Sequence, residues 1–145
     1  MRTYVTRLVL IALAGFAGVV AVASAASSGG PVKDAKYSGS TGPGYPLSFR
    51  VSANGRDVEH LVVAFEATCG VGAGDVAPKY DFTTLTIVDG KFRGSSGDSS
   101  DSVSNDLRID GRFDGRKVTG SVTDTLHIKS LPSCTQTEPF TATAK

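Results

Sequence analysis

Hydrophobic and polar residues alternate singly through most of this chain. In residues 106–128, DLRIDGRFDGRKVTGSVTDTLHI, Leu107, Ile109, Gly111 and Phe113 take every second position before Asp114-Gly115, and Val118, Gly120 and Val122 do so after it. A period of two marks a half-buried strand. Treating Asp114-Gly115 as a two-residue turn sets Leu107 opposite Val122, Ile109 opposite Gly120 and Gly111 opposite Val118, so both apolar sets share one face. A turn one residue longer would point half of those side chains at water. The same device recurs twice. Leu47, Phe49, Val51 and Ala53 alternate with Ser48, Arg50 and Ser52 ahead of Asn54-Gly55, which places Val58 across from Val51. Thr83, Leu85 and Ile87 alternate ahead of Asp89-Gly90, which sets Ile87 against Phe92.

Two positions disturb the rhythm. Leu61, Val63, Phe65, Ala67 and Cys69 are odd-numbered whereas Val58 is even, so one extra residue, a β-bulge, is predicted near Glu59 and His60. Asp124 falls on the inward parity between Val122 and Leu126, which predicts that the strand bends or restarts there. A short strand over 37–41 and a last strand over 135–144 complete the set. In the last strand Pro139 lacks an N–H and marks a sheet edge or a strand start. Residues 70–79 and 94–104 read as loops, the first rich in glycine and the second polar and of low complexity. No amphipathic helix intervenes. The pattern predicts an all-β, single-domain antiparallel β-sandwich or small β-barrel of seven to eight strands with one disulfide.

The ends of the chain set its compartment. Arg2 and Arg7 precede an uncharged run over 8–23 and the small triplet Ala23-Ser24-Ala25, the layout of a Sec-type signal peptide, residues 1–25, cut after Ala25. An uncleaved anchor is the alternative, because the run approaches the ~17–25 residues that span a bilayer. Residues 26–36 read as a flexible leader and 37–145 as the all-β domain. Cleavage leaves 13 basic residues against 14 acidic ones. That balance recommends neither nucleic acid nor an anionic membrane surface as a partner. The only two cysteines, Cys69 and Cys134, then reach an oxidising compartment, and a disulfide between them is expected. Closing so long a loop would stabilise the fold by roughly 4 kcal/mol.

Candidate chemistry is thin. The cysteines have no CxxC partner, and the only histidines, His60 and His127, stand at strand positions where a solvated face is the ordinary explanation. The glycine-rich 70–79 stretch is followed by a strand rather than a helix, so it does not read as a phosphate loop. Asp98, Asp101, Asp106, Asp110 and Asp114 bear the oxygens that calcium takes, yet they lack the spacing of a calcium loop. No catalytic, cofactor-binding or metal-binding residue is assigned.

The repeated Asp89-Gly90-Lys91-Phe92 and Asp110-Gly111-Arg112-Phe113, the 117–122 strand, and Cys134 with Phe140-Thr141-Ala142 make up a recognisable set. With these the chain resembles a group of small exported bacterial all-β proteins, over about residues 37–143. The resemblance implies a shared β scaffold with no assigned activity. The functional expectation is an extracytoplasmic binding or interaction module that meets an extracellular or cell-envelope protein through the 70–80 and 94–104 loops. A small secreted hydrolase using His60 or His127, or a protease inhibitor presenting a loop, is the alternative.

Overall fold

The computed structural model describes residues 29–64 and 79–145. Eight strands follow one another: β1 (Lys36–Thr41), β2 (Pro46–Val51), β3 (Asp57–Ala64), β4 (Lys79–Val88), β5 (Lys91–Ser99), β6 (Val103–Asp114), β7 (Lys117–Ile128) and β8 (Cys134–Ala144). Each pairs antiparallel with the next, and β8 returns to β1, so the sheet closes as an up-and-down barrel rather than a sandwich. Cys134 opens β8, while Cys69, like the signal segment and most of the 70–79 stretch, lies outside the described residues.

The alternation settles which side chains fill the barrel. Leu47, Val58, Leu61, Leu107, Ile109, Phe113 and Val118 are buried while their neighbours along the strand are exposed or only partly covered. Turn chemistry sets the registers. Asp89 and Gly90 both adopt positive φ, as a two-residue hairpin turn demands, and Ile87 pairs with Phe92 as expected. Val51 pairs with Val58, although the turn between them is wider than two residues, with Ser52 hydrogen-bonded to Asp57. The extra residue in β3 is present. Ser48 pairs with Val62 but Arg50 with Glu59, and His60 sits at the shift with φ of 51°. The change of phase passes into β4, where Leu61 pairs with Phe82 and Val58 with Leu85. Phe82 is therefore inward and Thr83, expected inside, is exposed.

Four further expectations are corrected. The β6–β7 turn is Gly115-Arg116 rather than Asp114-Gly115, so Leu107 pairs with Asp124, Ile109 with Val122 and Gly111 with Gly120. The shift is by two positions, which leaves every inward residue inward. Gly115 carries the positive φ at the first central position of the turn. The 94–104 stretch is not a loop. Its small residues pair in register from Gly94↔Ile109 to Ser99↔Ser104 and leave only a tight turn around residues 100–102. Pro139 marks no edge. It lies just beyond the last β1–β8 pair, where its carbonyl accepts from Gly42 and no β1 carbonyl needs its missing N–H. Asp124 does not interrupt β7, which runs unbroken past it.

The two ends of the barrel differ. At the end holding the β2–β3, β4–β5 and β6–β7 turns, Tyr37, Phe49, Phe92 and Phe113 form an aromatic cluster, with Tyr37 stacked on Phe49 at 4.9 Å. Residues 29–35 cross this end instead of hanging as a tether. Val32 and Ala35 pack on the core, the Val32 N–H donates to the Tyr37 hydroxyl at 3.0 Å, and that hydroxyl donates to the Gly115 carbonyl at 3.0 Å. Inward glycines make room for rings: a β-carbon at Gly111 would collide with Phe92, and one at Gly120 would lie 2.6 Å from the Phe140 ring. The barrel is not equally sealed around its girth, because β4 and β5 pair only at Ile87↔Phe92 and Val88↔Lys91. Leu85 and Phe82 lean across that gap over Gly94.

Candidate ligand site in the barrel interior

At the opposite end the interior turns polar. The register brings the inward positions of β4, β6, β7 and β8 together there: Tyr80 beside Val63, Asn105 beside Leu126, Asp124 between Leu107 and Gln136, and Glu138 beside Val122. Asp124 and Glu138 are each 5 % exposed, and Thr41, at the end of β1, is 2 % exposed. Asp124 and Glu138 are diagonal neighbours on adjacent strands, a relation that places positions roughly 7–8 Å apart.

The hydrogen bonding of this cluster is half complete. Asn105 is held on two sides: its amide donates to the Tyr80 hydroxyl at 2.5 Å, and its carbonyl accepts the Asp98 N–H at 3.0 Å. Gln136 donates to Glu138 Oε1 at 2.9 Å. Among the described residues, Asp124 Oδ1, Glu138 Oε2 and Thr41 Oγ1 are buried with no hydrogen-bond partner. Buried polar atoms in folded proteins are nearly always paired, so orphans gathered at one end of the barrel call for an explanation.

The electrostatics point the same way. Burial raises the Asp124 carboxyl above the usual Asp range, the Asp106 charge raises it further, and a backbone hydrogen bond at Thr125 opposes them. Burial also raises the Tyr80 hydroxyl, helped by the Asp124 charge and opposed by the hydrogen bond from Asn105. Among the described residues the side-chain ion pairs are Arg50–Asp34, Arg93–Asp110 and His127–Asp106, and none reaches Asp124 or Glu138.

The residues singled out in the sequence lie elsewhere. His60 is exposed at the bulge, beside Lys36, Arg50 and Lys145 on the outer wall. His127 is also on the outer wall, where Nδ1 meets Ser133 Oγ at 2.8 Å and Nε2 stands 3.6 Å from Asp106 Oδ2. Serine, histidine and aspartate do meet here, but the acid is beyond hydrogen-bond reach and the His127 and Asp106 side chains are 46 % and 68 % exposed. An acylating triad needs a buried, hydrogen-bonded acid to orient its base, and this trio does not supply one. The five aspartates are dispersed: Asp110 pairs with Arg93, Asp106 faces His127, and among the described residues no three His, Cys, Asp or Glu side chains gather as a metal site would require. The interior cluster escaped sequence reading, although Asp124 at an inward parity was its signal.

No family model matches the chain, and no curated protein matches it. Among solved structures, a crystal structure of a rhizavidin–biotin complex aligns with a TM-score of 0.44 at 12 % identity, over 79 % of this chain and 95 % of that one.

Proposed function

We propose that this protein is an extracytoplasmic binding barrel that takes one small ligand into the polar end of its interior. One observation carries the reading: two carboxylates, Asp124 and Glu138, each 5 % exposed, keep an unpaired oxygen inside the barrel. Eight strands enclose a space that side chains can just fill or that holds one small ligand. At the aromatic end side chains fill it. At the polar end a hydrophobic filling would have been more stable than unpaired carboxylates, since a buried charge without a partner is strongly destabilising. Departures from self-consistent packing concentrate where a protein binds something. The signal-like segment over 1–25 supports an extracytoplasmic setting for that ligand.

The test is amide chemical-shift mapping of the exported protein against small polar solutes of both charges and none. Shifts concentrated at Asn105, Asp124, Gln136 and Glu138 are expected for at least one solute. Shifts confined to outward positions, or none at all, would overturn the reading.

A further inference from the structure

We infer that the ligand presents a cationic, N–H-rich head, an alkylguanidinium or alkylammonium, to Asp124 and Glu138. This inference rests on the binding reading above and adds the chemical class.

The unpaired groups decide the class. Both oxygens are acceptors, and an ionised carboxylate is acceptor-only, so what they lack is donors. Two of the nearby donors are engaged, the Gln136 amide with Glu138 Oε1 and the Asn105 amide with Tyr80; the unengaged one, the Thr41 hydroxyl, offers a single uncharged O–H, too little for two acids. An anionic ligand would add a third negative charge to two, with Asp106 and Asp98 both close enough to act on the cluster. A neutral ligand would leave the charge of the pair uncompensated in a site that water reaches poorly. Calcium takes six to eight oxygens, usually with several carboxylates among them, and among the described residues no third His, Cys, Asp or Glu joins these two. A guanidinium offers five N–H groups in a fixed plane, and its charge-assisted bonds to carboxylate oxygens run about 2.7–2.9 Å. Its width suits two carboxylates on diagonal positions of adjacent strands, which a single hydroxyl could not serve together.

The surroundings fit the rest of such a molecule. Below the carboxylates lie Leu107, Val122 and Phe140, all buried, and Val63 pairs with Tyr80 on the far wall. An alkyl stem would find apolar contact there while its head meets the acids.

Isothermal calorimetry on the full exported protein, with agmatine as the cationic probe, tests this. N-butylurea, butyrate and calcium chloride serve as the neutral, anionic and metal arms. Agmatine should bind, and Asp124→Asn and Glu138→Gln should each weaken it by about ten- to a hundredfold, the usual worth of a hydrogen bond to a charged group. Asp110→Asn, on the outer wall beside Arg93, should leave it unchanged. Agmatine binding that ignores both interior variants overturns the inference, as does calcium binding that displaces agmatine through the same two residues. If agmatine fails while butylurea or butyrate moves the interior amides, the cationic class falls and the binding barrel stands. If no arm binds, both fall. Circular dichroism of each variant separates lost binding from lost fold.

Discussion

Replacing Asp124 by Asn should make this barrel more stable. The two side chains share one shape, so packing against Leu107 and Gln136 is preserved while the buried charge disappears. In the wild type the carboxylate is 5 % exposed and Oδ1 has no partner among the described residues. An unsatisfied buried group costs about 1–3 kcal/mol, more when charged. Asn keeps the polar burial but not the charge, so a gain of about 1–2 kcal/mol at pH 7 is expected, roughly 3–8 °C in Tm for a domain of this size. The pH dependence supplies the sharper check. Burial and Asp106 raise the folded-state carboxyl above its unfolded value, so its contribution to stability is fully present below about pH 3.9 and is lost as pH rises through the folded value. The variant's advantage should therefore be near zero around pH 3 and open as pH climbs. The Asp124 charge also helps to raise the Tyr80 hydroxyl, so the variant should ionise Tyr80 at lower pH in an ultraviolet titration. Thermal melts of both proteins across that pH range decide the matter. A variant no more stable than wild type at pH 7, or equally stabilised at every pH, would refute the account of Asp124 as an uncompensated buried charge.

Three further outcomes are expected. Gly111→Val should destabilise by about 1–3 kcal/mol or more in urea unfolding, because the new side chain must displace the buried Phe92 ring. Tyr37→Phe should cost about 1 kcal/mol and expose residues 29–35 to limited proteolysis, since its hydroxyl joins Val32 to Gly115 across the closed end. Mass mapping of non-reduced peptides should find Cys69 linked to Cys134, and two free thiols would count against the disulfide.

Much of the fold was legible because period-two alternation and turn residues are local signals. Asn54-Gly55 and Asp89-Gly90 set their registers correctly, and the even-to-odd switch after Val58 located a bulge that the structure places at His60. Closure was not legible, since a barrel and a sandwich ask the same alternation of each strand, and only the β1–β8 pairing distinguishes them. The 94–104 stretch misled for a different reason. Its glycines and serines have poor intrinsic strand preference, and the ladder to Ile109 and Leu107 on β6 overrides it. Asp114-Gly115 misled by two positions because parity alone cannot tell a shift of two from none.

The interior site was hidden by the same rule that revealed the fold. An aspartate on an inward parity conflicts with a hydrophobic core, and the economical resolution is to break the strand before it. β7 resolves the conflict otherwise: its ladders to β6 and β8 continue through Asp124, which holds the carboxylate inside. Glu138 was concealed further by Pro139, which drew the reading toward an edge and away from the inward residue beside it. Two acids entering from adjacent strands become a site only once the register makes them diagonal neighbours, and that register depends on pairing rather than on either segment alone. The aromatic end then takes on a functional meaning. With Tyr37, Phe49, Phe92 and Phe113 filling one end and residues 29–35 laid across it, the barrel can carry the instability of unpaired carboxylates at the other. Removing the carboxylates should strengthen the molecule and empty it of ligand together, whereas residues that served the fold alone would lose stability without touching binding.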